Sequence, residues 1–405
     1  MDIGEPIAGT TSQRALDERR EHHEHREHQV FSLRGSDASI QTFGVRRRLA
    51  LGYASTLEDR VRAFFADETG GPNVLVGALP FDTNRDTLFF QPERVIWEGV
   101  ENRMTGVARS NVPLRSSSLQ IVGEPDAAAY AAMVEQALAR IGAGDDLRKI
   151  VLSRRLRIHA SAPVDPMAIV ERLACDPKVT TFLVDLSVAS GAHGHRLVGA
   201  TPELLVSRKG LRIASHPLAG SAARSADPEV DRRAAEDLLR SEKDRREHAL
   251  VVEAVFDTLS PVCAELSAPE GIGLQSTSTM WHLGTRIEGV LKSEEHGPSA
   301  AGLAAMLHPT PAVGGHPREA ALEAIRALEP HDRGFYAGAV GWTDTKGDGH
   351  WYVALRCAEI RGSRLTLHAG AGIVAGSTPD REVAETSAKF RAMLHALGIH
   401  EDGAL

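Results

Sequence analysis

FYAGAVGWTDTKGDGHWYVALRCAEIRGSRLTLHAGAGIV, residues 335–374, is the stretch that separates the candidate fold classes. It contains three long apolar runs rich in β-branched and aromatic residues: FYAGAVGWTD, HWYVALRCAEI and SRLTLHAGAGIV. The connections between them, TKGDG and RG, are built of turn formers and are too short to carry a helix. The segment therefore reads as consecutive antiparallel strands. Its end, GAGIVAG (Gly370–Gly376), loosely matches a dinucleotide fingerprint. That reading needs a helix, a second parallel strand and an acidic residue about 20 positions on. Only 29 residues follow Gly376, and the helix Pro379–Leu397 uses most of them, so the nucleotide reading has no room. The glycines can instead let bare backbone approach an anion, or permit a bulge.

Upstream, Asp126–Ile141 reads as a helix, its apolar residues recurring at Tyr130, Met133, Val134, Ala137, Leu138 and Ile141. Gly142 and Gly144 end it. KIVLSRRLRI (149–158), TTFLVDLSV, RLVGA, ELLVS and LRIAS read as strands, the last two joined at Lys209-Gly210. One long helix is expected from the N-cap Asp227, with Pro228 at N1, to about Leu259. AALEAIRALE is another. Long strand runs with short turns and a few helices indicate α+β rather than βαβ alternation. Residues 1–45 are polar and charge-dense and are expected to form an arm, with one globular domain over 46–405. Within the arm, ERREHHEHREH (Glu18–His28) is either a metal-binding tract or a solvated segment.

The 405-residue composition is that of an ordinary globular chain, 42% hydrophobic and 25% charged. A formal net charge of −8 leaves no basic field for nucleic acid or anionic lipid. Cys175, Cys263 and Cys357 are far apart and odd in number, which fits a reducing cytoplasm and neither a disulfide framework nor a zinc site. MDIGEPIAGT has no basic n-region or apolar h-region, so no signal peptide is expected. No apolar run is long enough to span a bilayer.

Charged residues stand where a core is expected. In SEKDRREHALVVEAVFDTL (241–259), Asp244, Glu247 and His248 share the helix stripe of Val251 and Val255. Buried carboxylates are costly unless paired or bound to a cation. Glu382 and Glu385, also three apart, flank the stripe Phe390, Met393, Leu394 and Leu397, and Lys389 follows Glu385 at i+4. Two helices, each offering an acid-x-x-acid pair of oxygen ligands, favour Mg²⁺ over zinc. Arg356 interrupts the apolar YVALRCA, where a buried guanidinium wants a carboxylate or phosphate. Glu203 lies between apolar strands, where a carboxyl has a raised pKa and can act as an acid. Lys149 opens the apolar KIVL, and a lysine withdrawn from water can act as a base. Each charge could equally serve a structural ion pair; together they describe a cavity for an anion.

KIVLSR, GATPELL, HPLAGSAAR, SEKDRREHALVV, WHLGTRIEG, LHPTPAVGG, DRGFYAGAVGW, VALRCAEI and AGAGIVAGSTPDREVAET, co-linear from about 120 to 400, resemble the chorismate-utilising enzymes. The resemblance is to isochorismate synthases of the siderophore-pathway type. It implies a single α+β domain, two antiparallel sheets sandwiching helices, and a Mg²⁺-dependent conversion of chorismate to isochorismate. By the same resemblance Lys149 matches the base that activates water and Glu203 the acid that protonates the departing C4 oxygen. Glu247 and Glu385 match the metal ligands, with Asp244 and Glu382 acting through water. Arg356 matches the clamp on the enolpyruvyl carboxylate, and Lys389, Gly370 and Gly372 match further anion contacts. Gly220 and Ser221 match backbone contacts near the ring carboxylate, and His282 an active-site histidine or a structural one.

The ammonia-using relatives typically lack a lysine at the Lys149 position, and the aminodeoxychorismate type carries one where this chain has Ala219. Water is therefore the expected nucleophile, with no glutamine amidotransferase subunit and a monomeric state. Salicylate synthases, which go on to eliminate pyruvate, are the alternative inside the family. A non-catalytic anion- or metal-binding protein is the alternative outside it. The product's pathway is expected to be a catecholate siderophore, with menaquinone or salicylate as the other destinations.

Overall fold

Residues 335–374 supply strands to two different sheets. The computed structural model describes residues 29–36, 39–67, 70–97, 119–143 and 146–399; the Glu18–His28 tract lies outside them. Ala339–Asp344 and Gly349–Val353 pair across the TKGDG turn inside a nine-stranded sheet. Cys357–Arg361 and Arg364–Val374 pair across the RG turn inside a ten-stranded one. The expected single strand HWYVALRCAEI is thus two strands, and FYAG precedes the first of them as turn. The break falls at Arg356, the only arginine among the described residues with positive φ, at +44°. Just before it, the Leu355 N–H bonds the Val353 carbonyl at 2.9 Å, which turns the chain out of one sheet and toward the other.

Every strand pairing is antiparallel, as the α+β reading expects, and the two large sheets share one buried cluster. Phe31, Leu33, Phe182, Val184 and Leu197 of the ten-stranded sheet join Val76, Val206, Trp351 and Val353 of the nine-stranded one. A second cluster lies where helices Pro166–Leu173 and Pro379–Ala396 cover the ten-stranded sheet. There Ile169, Val170, Phe390, Met393 and Leu394 pack on Leu183, Val198, Leu365 and Leu367. The Ala-rich helix Ala300–Leu307, apolar nearly all round, packs on the nine-stranded sheet.

Three further expectations need correction. The arm does not extend to residue 45: Gln29–Arg34 and Ser39–Phe43 are strands of the ten-stranded sheet, the first paired with Thr180–Asp185. Phe31, Leu33 and Ile40 are fully buried there, short apolar runs hidden in a charge-dense context. The long helix breaks into Pro228–Arg240 and Glu242–Leu259. Ser241 adopts extended ψ (112°) and its hydroxyl accepts the Asp244 N–H at 3.3 Å, a fresh N-cap in mid-sequence. TTFLVDLSV ends as a strand at Asp185, whose side chain accepts the Ser187 N–H at 2.8 Å and starts the short helix Ser187–Ser190. Beside the two large antiparallel sheets that the α+β reading expects, Leu218–Ala223, Ile272–Ser276 and Met280–Thr285 form a small three-stranded one, on which helices Pro228–Arg240 and Glu242–Leu259 pack. No helix among the described residues is long and apolar enough to cross a membrane.

Candidate active site

Three elements meet where the two acidic helices start. The Lys149–His159 strand pairs with Arg364–Val374, setting Val374 opposite Lys149 and Gly372 opposite Val151. The three-stranded sheet sets Ser221 opposite His282. Helices Glu242–Leu259 and Pro379–Ala396 bring their first turns to this junction. Of the thirteen residues singled out in the sequence, ten line one cavity: Glu203, Gly220, Ser221, Glu247, His282, Arg356, Gly370, Gly372, Glu385 and Lys389. Asp244 and Glu382 line an adjoining cavity that shares Ser221 and Glu385 with the first. Lys149 is fully buried, and its Nζ reaches to 3.0 Å from Glu247 Oε1 without the alignment of a hydrogen bond.

The glycines are needed for this approach. A Cβ on Gly372 would lie 2.1 Å from Glu247 Oε1 and 3.3 Å from Lys149 Cε. Gly220 sits at φ +81°, and a Cβ there would meet the Asp244 Cβ at 3.0 Å. We therefore expect Gly372→Ala to push Glu247 off Lys149. It should cost about 1–3 kcal/mol in urea unfolding and most of the turnover; a variant with unchanged stability and activity would contradict this packing.

The acids are arranged around lysines. Glu385 Oε1 accepts from Lys389 Nζ at 2.6 Å and from Ser221 Oγ at 2.9 Å. Burial opposes ionisation of Glu385, but Lys389, Lys243 and Ser221 outweigh it and hold the carboxyl below its ordinary range. Lys389 also donates to the Gly370 carbonyl at 2.9 Å. Glu382 is 1% exposed; burial, then the Glu385 charge, push its carboxyl up against Lys243 and the nearby Ser377 hydroxyl, and no well-aligned hydrogen bond reaches its Oε2. Lys243, given no role in the sequence reading, stands among the remaining acids. Its Nζ lies 3.4 Å from Glu382 Oε1, 3.6 Å from Asp244 Oδ1 and 3.9 Å from Glu247 Oε2. Burial disfavours its charge, yet Glu247, Glu382, Glu385 and Asp244 together hold the ammonium well above the ordinary lysine range. Its i−4 spacing from Glu247 is the one signal in the sequence that could have pointed to it.

In the same cavity wall, burial pushes the Glu203 carboxyl up to about 8, against the Leu218 N–H and the charges of Lys149, Lys389 and Arg356. Glu203 is therefore largely protonated at neutral pH, as its setting between apolar strands suggested. Arg356 donates from Nη2 to His282 Nε2 at 2.5 Å, while its buried Nη1 has no protein partner. Burial lowers the guanidinium to about 10, so it stays charged. Burial first, then Arg356 and Lys389, hold His282 well below its ordinary range, and the neutral ring accepts the arginine's proton. His282 thus orients Arg356 from a place in the cavity wall. Tyr336 and His368, stacked at 5.0 Å, complete the wall and carried no signal in the sequence.

Lysine and arginine cations facing a protonated carboxyl in a walled cavity are the equipment of an enzyme acting on a small organic anion. The chain belongs to the chorismate binding enzyme family, which residues 81–398 match. It is 46% identical over 328 residues to isochorismate synthase DhbC of Bacillus subtilis, covering 80% of this chain and 81% of that protein. It is 41% identical over 353 residues to isochorismate synthase EntC of Escherichia coli, covering 85% and 87%. Its fold matches a Bacillus anthracis crystal structure assigned as a 2,3-dihydroxybenzoate-specific isochorismate synthase, DhbC. The TM-score is 0.84 at 40% identity, over 93% of this chain and 97% of that one.

Proposed function

We propose that this enzyme is an isochorismate synthase, converting chorismate to isochorismate for a catecholate-siderophore pathway. The observation that carries the reading is one cavity lined both by a Glu203 carboxyl that retains its proton to about pH 8 and by Glu247, whose Oε1 lies 3.0 Å from the buried Lys149 Nζ. The relatives named above support it. Lys149 takes a proton from the water whose oxygen bonds to C2, and Glu247, 3.0 Å away, holds the resulting ammonium. The ring double bonds shift, the C4–O bond breaks, and Glu203 donates its proton so that the C4 hydroxyl leaves as water. Arg356, kept in place by His282 and with Nη1 still to be paired, receives the enolpyruvyl carboxylate. Lys389 and the backbones of Gly370, Gly372, Gly220 and Ser221 position the rest of the dianion.

The donor set fits a hard divalent ion. Glu247 and Glu385 would hold Mg²⁺, with Asp244 and Glu382 behind them, and no well-aligned hydrogen bond reaches the buried Glu382 Oε2. Among the described residues no three of these acids stand close enough together to hold an ion as they are placed. The bound ion would supply charge neutralisation for the ring carboxylate.

Incubating the protein with chorismate and Mg²⁺ and identifying products by chromatography tests the reading. Isochorismate is expected as the accumulating product. Salicylate with stoichiometric pyruvate, or unconsumed chorismate, would overturn it.

A further inference from the structure

Glu247 and Glu385 each have a lysine of their own, Lys149 at 3.0 Å and Lys389 at 2.6 Å. Asp244 and Glu382 have no such private partner among the ion pairs of the site; both depend on the Lys243 ammonium, which also reaches toward Glu247. This ammonium therefore stands among the same oxygens that a divalent ion would use. An ammonium and a dication repel strongly at such separations and cannot share those oxygens. Lys243 is also free to leave. It is the second residue of helix Glu242–Leu259, its side chain is 24% exposed, and it lines the outer cavity beside Ser241, Gly376 and Arg381. Its flexible four-carbon stem can swing the charge into that cavity. It does not satisfy the cluster fully, since no well-aligned hydrogen bond reaches Glu382 Oε2 in a residue 1% exposed.

We propose that Lys243 is a built-in counter-cation of the acid cluster, which neutralises the carboxylates before metal binds and must withdraw to let a divalent ion in. The proposal rests on the reading of this cluster as the cation site. Two consequences follow from the exclusion. The apparent affinity for Mg²⁺ is the intrinsic affinity reduced by the fraction of molecules with Lys243 withdrawn. The metal-free protein, in turn, is spared the mutual repulsion of four carboxylates when Mg²⁺ is scarce.

The test is calorimetric titration of the full chain with MgCl₂, without substrate, together with melting temperatures in EDTA. Lys243→Gln is expected to bind Mg²⁺ at least about tenfold more tightly than wild type. It should melt lower in EDTA and gain more from saturating Mg²⁺. Lys243→Arg, which keeps the charge, should retain the weaker affinity. Glu385→Ala should lose Mg²⁺ binding. If Glu385→Ala binds Mg²⁺ like wild type, the cation-site reading fails and the proposal with it. If Glu385→Ala loses binding while Lys243→Gln binds no more tightly than wild type, the site stands and the proposal alone is overturned. A readout on the wild-type chain covers the case in which Lys243→Gln does not fold. Labelling by acetic anhydride, mapped by mass spectrometry, should modify Lys243 faster with saturating Mg²⁺ than in EDTA, and equal labelling would also overturn the proposal.

Discussion

Lys149→Ala is expected to reduce chorismate turnover by roughly 10²–10⁴-fold, the range removed with a general base, while the protein still binds chorismate. The reasons lie in where the lysine sits. It is fully buried at the start of strand Lys149–His159, 3.0 Å from Glu247 and behind the residues that line the cavity. The groups assigned to anchoring, Arg356 and Lys389, come from other elements and do not depend on Lys149 for their partners. Its loss leaves Glu247 buried without its closest partner, so the variant should also be less stable, by about 3–5 kcal/mol if the carboxylate cannot relax. Single-turnover kinetics and a binding titration separate the effects. A variant that turns over at the wild-type rate would remove Lys149 from the role of base.

Glu203→Gln should abolish turnover to a similar degree and yet stabilise the fold at alkaline pH. Glutamine keeps the shape but cannot donate the proton that the C4 oxygen needs. The stability effect follows from the direction of the shift. The folded-state value, about 8, lies above the ordinary carboxyl value of 4.5 because burial penalises the carboxylate. For a carboxyl raised in this way, the folded protein holds a proton that the unfolded chain releases. The stability linked to that proton is complete below about pH 4.5 and is lost as pH rises through about 8. Glutamine has no charge to bury. The variant should therefore melt close to wild type at pH 5 and above it at pH 8, with the gap widening between those points. Wild-type kcat should fall on the basic side of the same titration. Melting curves across this range and a pH–rate profile check both halves. A variant whose melting advantage shrinks with rising pH, or a wild type with full kcat at pH 10, would show that Glu203 is not the buried acid.

The strongest local patterns carried over into the structure. Tyr130, Met133, Val134 and Ala137 form the buried stripe of the helix capped by Asp126, as their spacing requires. Glu247 and His248 are buried on the stripe of Val251 and Val255. Ten of the thirteen site candidates line one cavity; the charges among them stood in or beside apolar runs, where the period of the element dictates direction, whereas Gly220, Ser221 and His282 came from the family resemblance. Ser221 was expected to act through its backbone, and its hydroxyl also bonds Glu385 across 164 positions of sequence.

What stayed illegible depends on contacts between distant segments. HWYVALRCAEI is apolar throughout except at one arginine, and nothing local says that the chain changes sheets there. The change is made by Arg356 entering the left-handed region and reaching His282, 74 positions away. Ser241 looked like an interior helix residue until it capped Asp244, and that restart aims Asp244 and Glu247 at the second acidic helix. The sequence by itself determined the α+β class, the acidic pairs, the buried acid and the buried lysine, because hydrophobic period and the cost of burying charge act along a single element. Only the tertiary structure decided which charges meet. Lys243 shows the difference: in sequence it is one more lysine on a polar helix start, and in space it is the cation shared by neighbouring Asp244 and by Glu382, 139 positions away on another helix.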